Sequence, residues 1–324
     1  MYVAMIDAVI TWVDGDDPIH KRKREAYLDD TAPVSSIQST RFASSGEIRF
    51  AVQSLLQFCP FLRRIYVITD EQHPAELDTI LATHSNVRII DHRDAFGEHA
   101  DLLPVFSSRS IETVIHRIPG LAEHFLYLND DIFVGRKMKA EDFFDQGIPI
   151  IRGNFQRFPN TLTKWLKSKI RNTRPGYNAA QRDAASLVGH RKTYLLAEHQ
   201  PHPMRRSTLE RYYENRESEL RAQISHRFRS ADQVSPIGMS NHLEILAGAR
   251  VERPLDVGYV RPNKPTGDAL VEVMAKLKDN AFASFCVQSL DQMSKDDRQI
   301  VLAGLQAHYA TVSGVPITRS GHAV

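Results

Sequence analysis

The chain has 324 residues, 42% of them apolar and 25% charged, so it can bury a sizeable core and is not a disordered segment. Forty-one Lys and Arg against 39 Asp and Glu leave a net charge of +2, which argues against a dedicated nucleic-acid binder though not against a local basic patch. No run approaches the about 18 apolar residues of a membrane-spanning helix. Two cysteines, Cys59 and Cys286, are too few for a disulfide framework and suit a reducing cytosol.

The opening MYVAMIDAVITWVDG is apolar but lacks a basic start and carries Asp7 inside the run. It reads as a strand over residues 4–12, not as a signal peptide. Ile48, Val52, Leu55 and Leu56 recur at helical spacing and predict a core-facing helix. Residues 64–69 (RIYVIT) and 87–90 are further short apolar strands. Ile111, Val114, Ile115 and Ile118 mark a second helix, with Ser107 or Ser108 as its cap and Pro119-Gly120 as its end. Residues 125–128 form a fourth strand, running into Asn129-Asp130-Asp131. Near-continuous apolar strands alternating with amphipathic helices predict an α/β fold with a mostly parallel, doubly wound (Rossmann-like) sheet. Polar residues cluster just after the strands, where such sheets bind ligands.

Composition shifts after about residue 150. Arg152, Arg157, Lys164, Lys167, Lys169, Arg171, Arg174 and Arg182 face the single acid Asp183, with Phe155, Phe158, Trp165 and Tyr177 interleaved. Residues 209–223 and 231–247 read as helices. The division expected is therefore an α/β core over 1–150, a mainly helical, basic insertion over 151–250, and a C-terminal segment over 251–324 that completes the domain. The last segment is expected to hold a helix (269–277), a strand (283–287) and a second helix (295–308).

Several groups of residues have the chemistry for a site. Two adjacent carboxylates at a strand end, Asp130 and Asp131, suit a hard divalent cation that shares its oxygen ligands with phosphates. A solvated turn is the plainer alternative. Adjacent side chains of an extended segment point to opposite faces, so only one of the two is expected to ligate directly. Trp12-Val13-Asp14-Gly15 ends the first strand. Trp12 can stack on a flat base, Asp14 can accept from a ribose or amide, and Gly15 allows close approach of the turn, against the plainer reading of an Asp-Gly turn with a core Trp. Glu112 and His116, four apart, are expected to share a helix face off the apolar stripe, as a tuned pair or as an ordinary surface pair. Glu198-His199-Gln200-Pro201-His202-Pro203 offers a zinc ligand pair without supporting partners, a general base, or neither. The basic stretch, with Arg227 and Arg229, can bind phosphates, RNA or DNA, or only water.

Taken together, four blocks resemble the Stealth family of sugar-phosphate transferases: IDAVITWVDGDDP at residues 6–18, the long block from Arg41 to Gly135 (with LYLNDDIFVG), EHQPHPM at 198–204, and HRFRSADQ at 226–233. That family includes bacterial capsular polysaccharide phosphotransferases and the catalytic core of the animal N-acetylglucosamine-1-phosphotransferase. The resemblance implies a GT-A-like nucleotide-sugar fold and a divalent metal, Mg2+ or Mn2+, on Asp131 and Asp130. It implies transfer of a hexose-1-phosphate, with an N-acetylhexosamine as the family's common case, from a nucleotide diphospho-sugar to a saccharide hydroxyl. Glu112 and Asp131 match acidic positions needed for activity, His202 the required histidine and Arg229 the required arginine. Trp12, Asp14, Gly15, Asn129, His116, Arg117 and Arg227 are the expected substrate-binding residues. The chain starts almost at the first block, so the N-terminal extension of many members is expected to be missing. The expected setting is the cytoplasm, at the inner face of the membrane or free of it, with no nucleic-acid partner; the sequence leaves the oligomeric state open. A metal-dependent GT-A glycosyltransferase releasing a nucleoside diphosphate is the alternative, followed by a non-catalytic binder of anionic polymer.

Overall fold

The computed structural model describes residues 5–28, 44–159 and 176–309. Four parallel strands form its centre: β1 (Ile6–Thr11), β2 (Leu62–Thr69), β3 (Val87–Asp91) and β4 (His124–Asn129). The strand His202–Arg205 adds to the β4 edge in the antiparallel sense, giving the order His202–Arg205, β4, β1, β2, β3. Pro203 lacks an N–H and is therefore tolerated at a sheet edge, which is where this strand lies.

Both sheet faces are covered, which is why β1 reads as an unbroken apolar run. Alternate residues serve opposite layers. Ala8, Ile10, Leu126 and Leu128 pack with the helix Glu47–Phe58 and the C-terminal helices Gly267–Lys278 and Lys295–Tyr309. Val9, Ile68, Phe125 and Tyr127 pack with the helices Ser108–Val114, Arg206–Tyr213, Glu217–Ile224 and Pro236–Leu246. The expected helix over 209–223 is two helices, since Glu214 to Arg216 break the run.

Asp7, the one charge inside the first apolar strand, is fully buried. Its carboxylate accepts from Arg63 Nε (2.9 Å) and Nη2 (2.6 Å) and from the Ala122 N–H (2.8 Å). It thus fastens β1 to β2 and to the turn that precedes β4.

After β4 the chain turns at Asp130-Asp131 and leaves the main sheet. The next strand, β5 (Ile132–Val134), pairs with Ser284–Val287 in a second, three-stranded sheet completed by Val257–Val260. The acidic pair therefore sits where the chain passes from one sheet to the other. Residues 151–250 carry the helices Tyr177–Leu187, Arg206–Tyr213, Glu217–Ile224 and Pro236–Leu246, and they supply the His202–Arg205 strand of the main sheet. Among the described residues no helix is long and apolar enough to cross a membrane, and both cysteines are buried free thiols.

Replacing Arg63 by Met leaves the Asp7 carboxylate buried without its charged partner, a change expected to cost about 3 kcal/mol. Urea unfolding should show the midpoint drop without a change in slope, whereas Arg64→Met should leave it nearly unmoved.

Candidate active site

A cavity of about 770 Å³ opens along the carboxyl ends of the parallel strands. Trp12, Glu112, Asn129, Asp130, Asp131, His202 and Arg229 all line it. These residues come from five separated stretches of chain, so the tertiary fold and not sequence proximity assembles them.

The strand pairing sets His202 directly opposite Tyr127 of β4, two residues before Asn129. His202 is 7% exposed, and among the described residues no protein group hydrogen-bonds its ring. Burial, with a smaller contribution from His199, pushes its imidazole down to about 4, so it is neutral at physiological pH. The Tyr127 hydroxyl donates to Asn129 Oδ1 (2.8 Å), lies 3.0 Å from Thr11 Oγ1, and is also within hydrogen-bonding reach of the Glu112 carboxylate. Tyr127 thus joins the β1 and β4 ends to Glu112. It was not singled out from sequence, although strand alternation places residues 127 and 129 on one face.

Asp131 turns one carboxylate oxygen, Oδ2, toward the Cys286 thiol (3.8 Å), and among the described residues its buried Oδ1 has no hydrogen-bond partner. Burial and the Glu47 carboxylate raise its pKa to about 6. Asp130 is raised well above the usual carboxylate range by burial, then Asp131, then Glu47. Glu47 opens the helix Glu47–Phe58 and is itself raised by burial. Its position carries no signal in the sequence beyond that of an ordinary first-turn acid.

Buried Glu47 and half-buried Asp130 and Asp131 thus gather three acidic groups, each with a raised pKa, on one side of the cavity. Among the described residues no three His, Cys, Asp or Glu side chains converge closely enough to cage a metal. The donor set therefore does not suit a closed zinc site. An orphaned carboxylate oxygen beside a second carboxylate fits a hard cation that takes one or two protein oxygens and shares the rest of its shell with phosphate and water.

Arg229 is held by a bond from Nη2 to Ser108 Oγ (2.5 Å). Its segment is locked to the helix Ser108–Val114 by buried polar contacts. Ser107 Oγ donates to Gln233 Oε1 (2.8 Å), Gln233 Nε2 donates to Ser110 Oγ (2.9 Å), and Arg109 donates to the carbonyls of Ser230 and Gln233 (3.0 Å each) and of Gly176 (3.1 Å). Ser107 stands at the N-cap, but its hydroxyl serves Gln233 and caps no backbone N–H, a difference from the expected role.

Several expected site residues lie elsewhere. Asp14, Gly15, His116, Arg117 and Arg227 do not line the cavity. Asp14 is used in its own turn, exchanging backbone bonds with the Gln72 side chain (3.0 and 2.8 Å). The Gly15 carbonyl accepts from Arg24. Arg117 pairs with Glu98 at 2.6 Å, and Arg227 donates to the Pro104 carbonyl (2.7 Å) beneath Tyr27. The Glu112–His116 pair is not a surface pair: both residues are buried. The α-helix ends at Val114 and tightens to a 3₁₀ turn, so Glu112 faces the cavity and His116 does not. Trp12 lines the cavity but belongs to the core, with its Nε1–H bonded to Ser44 Oγ (3.1 Å). Of the basic stretch, Arg152 pairs with Glu252 (2.7 Å) and Arg182 with Asp183 (2.8 Å), and neither they nor Arg157 line the cavity. Lys164, Trp165, Lys167, Lys169, Arg171 and Arg174 lie outside the described residues. His199 lies between the rings of Tyr177 and Tyr259, stacked at 5.5 and 5.4 Å, where it lines the cavity as an aromatic neighbour of His202.

With this geometry in place, comparison with known proteins is informative. Residues 6–32 match the family model described as Stealth protein CR1, conserved region 1, and residues 41–150 the model described as Stealth protein CR2, conserved region 2. The chain belongs to the Stealth family. The sequence is 32% identical to an exopolysaccharide phosphotransferase of Streptomyces coelicolor, over 95% of this chain and 32% of that protein. It is 32% identical to the exopolysaccharide phosphotransferase CpsY of Mycobacterium leprae, over 87% of this chain and 51% of that one. It is also 32% identical to the capsular polysaccharide phosphotransferase LcbA of Aeromonas hydrophila, over 71% of this chain and 62% of that one. This Stealth chain therefore spans only part of the length of these relatives. Similar solved structures include the galactosyltransferase LgtC in complex with donor and acceptor sugar analogs (12% identity, 96% of this chain and 97% of that one, TM-score 0.45). Another is the bifunctional glycosyltransferase WbbM (8% identity, 95% and 50%, TM-score 0.47). Likenesses at that level do not bear on what this chain binds.

Burial holds His202, His92 and His242 near 4 and His116 near 3, whereas an unburied imidazole titrates near 6.5. The unfolded chain thus binds these protons first. The stability the neutral imidazoles contribute is complete above about pH 6.5 and is lost as pH falls toward about 4, while the raised Asp131 carboxyl acts in the opposite sense. Imidazole C–H resonances of these four residues should stay at their neutral positions from pH 8 to pH 5. A midpoint near 6.5 for His202 would show that its ring is solvated.

Proposed function

We propose that this Stealth chain is the transferase core of a sugar-1-phosphate transferase that builds phosphodiester bonds in capsular, exopolysaccharide or cell-wall polymers. The donor is a nucleotide diphospho-sugar, with N-acetylhexosamine-1-phosphate as the transferred group, and the acceptor is a saccharide hydroxyl. One observation carries the reading: Glu112, Asp131, His202 and Arg229, scattered in sequence, converge on one cavity at the strand ends. The names borne by its relatives support the same class of reaction.

The chemistry divides among these residues by charge. Asp131, with Asp130, would hold a Mg2+ or Mn2+ ion. When bound, such an ion neutralises pyrophosphate charge that otherwise repels a nucleophile. Arg229, restrained by Ser108, presents a guanidinium to the oxygens of the transferred phosphoryl group; one such preorganised donor is worth about 3 kcal/mol in the transition state. His202, neutral and unbonded, accepts the acceptor hydroxyl's proton on a ring nitrogen, a contribution of about 10²–10⁴-fold. An intrinsically weak base is strengthened when the doubly charged donor fills the cavity beside it. Glu112, held through Tyr127, orients the acceptor hydroxyl. The new bond joins the acceptor oxygen to the sugar-proximal phosphorus, and the bond broken joins that phosphorus to the bridging oxygen. A nucleoside monophosphate leaves, and the anomeric carbon keeps its configuration. The setting that suits such a donor is the cytoplasm, at the inner face of the membrane where the polymer is made.

Incubation with a panel of nucleotide sugars, Mg2+ and an oligosaccharide acceptor should release nucleoside monophosphate and give a phosphodiester signal in phosphorus NMR. Release of nucleoside diphosphate without that signal would make the protein a glycosyltransferase. Asp131→Asn and His202→Ala should each lose about 10²-fold or more in kcat while the fold persists by circular dichroism. Near-wild-type turnover in either variant removes that residue from the mechanism.

A further inference from the structure

The cavity does not end at the reaction centre. It continues along the strand ends past β1 to the far side of the sheet, where His20, His92 and Phe106 form its wall. The strand order fixes the span. From β4, which carries the acidic pair, to β3, which leads into His92, there are three strand spacings, about 14 Å. That is the reach of an extended nucleoside diphosphate from its outer phosphorus to its base.

This end is chemically unlike the other. His92 is 1% exposed, and among the described residues neither of its ring nitrogens has a hydrogen-bond partner. Buried polar atoms are almost always paired, so two on one ring call for a missing partner. At the end of β2, Asp70 Oδ2 and Thr69 Oγ1 are also buried without a hydrogen-bond partner among the described residues. Asp70 Oδ1 is held by Lys23 (3.3 Å), and His20 Nε2 lies 3.9 Å from Oδ2. Burial keeps His92 neutral, so its ring presents one donor and one acceptor. An aromatic surface adjoins these groups: Phe106 stacks on Phe228 (5.2 Å) and meets the His20 ring edge-on (5.5 Å). A wall of polar atoms beside an aromatic face is complementary to a flat heterocycle with alternating N–H and carbonyl groups on its edge.

We infer that His92 reads the hydrogen-bonding edge of the donor's nucleobase, and that the pocket at the ends of β2 and β3, not Trp12, determines which nucleotide is accepted. This rests on the reading that the donor is a nucleotide sugar. An unpaired buried ring costs stability, so the retention of His92 on the cavity wall is accounted for by a ligand that pairs it.

The test is direct binding, without turnover. Calorimetry with the uridine, cytidine, guanosine and adenosine diphosphates plus Mg2+ should show one base preferred by about tenfold or more, the worth of one or two well-made hydrogen bonds. In His92→Phe the preferred nucleotide should weaken by about tenfold, bringing the four within about threefold of one another, while pyrophosphate binding is unchanged. Thermal stability of that variant should be equal or higher, because an unpaired polar group has been replaced by an apolar ring of similar size. Should His92→Phe fail to fold, His92→Gln keeps a donor and an acceptor and should retain a base preference that His92→Leu abolishes. Equal affinity for all four bases in the wild type, or discrimination unaltered by the change at His92, overturns the inference. Base discrimination that depends on His92, without any sugar-phosphate transfer, would sink the transferase reading and leave this one standing. Transfer with a base preference indifferent to His92 does the reverse.

Discussion

The antiparallel pairing of His202–Arg205 with β4 is the contact on which the site depends. It closes the edge of the main sheet and sets His202 opposite Tyr127, two residues before the Asn129-Asp130-Asp131 turn. Because strand register is quantised in steps of one residue, a slip would turn His202 to the other face and remove it from the cavity. The pairing is anchored from both sides: Met204 is buried in one core, and Arg205 makes a two-pronged bond to the buried Glu244 (3.0 and 2.6 Å). The imidazole is therefore held by the sheet and not by hydrogen bonds to its own ring, which leaves its nitrogens available for chemistry.

A second constraint acts across the cavity. Arg109, Gln233, Ser107 and Ser110 form a buried polar network between the helix Ser108–Val114 and residues 226–233. Such a network is stabilising only when its members are satisfied, and here the guanidinium finds three carbonyls. Its effect is to fix Arg229 beside Ser108 on the cavity wall, which Glu112 also lines. The same network explains why Ser107 gives up its capping role.

The electrostatics of the cavity run from one extreme to another. At the β4 end burial raises the pKa values of Glu47, Asp130 and Asp131, and the Glu47 carboxylate adds to the rise at the other two, a crowding of acids that a cation would relieve. At the β3 end the neutral His92 carries unsatisfied hydrogen-bonding capacity on both ring nitrogens. A ligand with a charged diphosphate at one end and an uncharged polar heterocycle at the other meets both demands at once.

Much of this was legible from the chain. Apolar strands in alternation with amphipathic helices determine a mostly parallel, covered sheet, because only that arrangement buries such runs on both faces. The acidic turn, His202, Glu112 and Arg229 could be named from residue type and family resemblance. The sequence could not say that Asp14, Gly15, His116, Arg117 and Arg227 are occupied elsewhere. The Asp14 backbone and the Arg227 side chain bond to partners 58 and 123 residues away. Helical spacing put Glu112 and His116 on one face, but the helix tightens after Val114 and rotates His116 into the core. Tyr127, Glu47 and His92 carry no local mark of function, since a Tyr in a strand, a Glu in a first helical turn and a His after a strand are all ordinary. Only the tertiary structure makes them remarkable to the chemistry, by bringing chain segments into one cavity whose composition no single stretch of sequence contains.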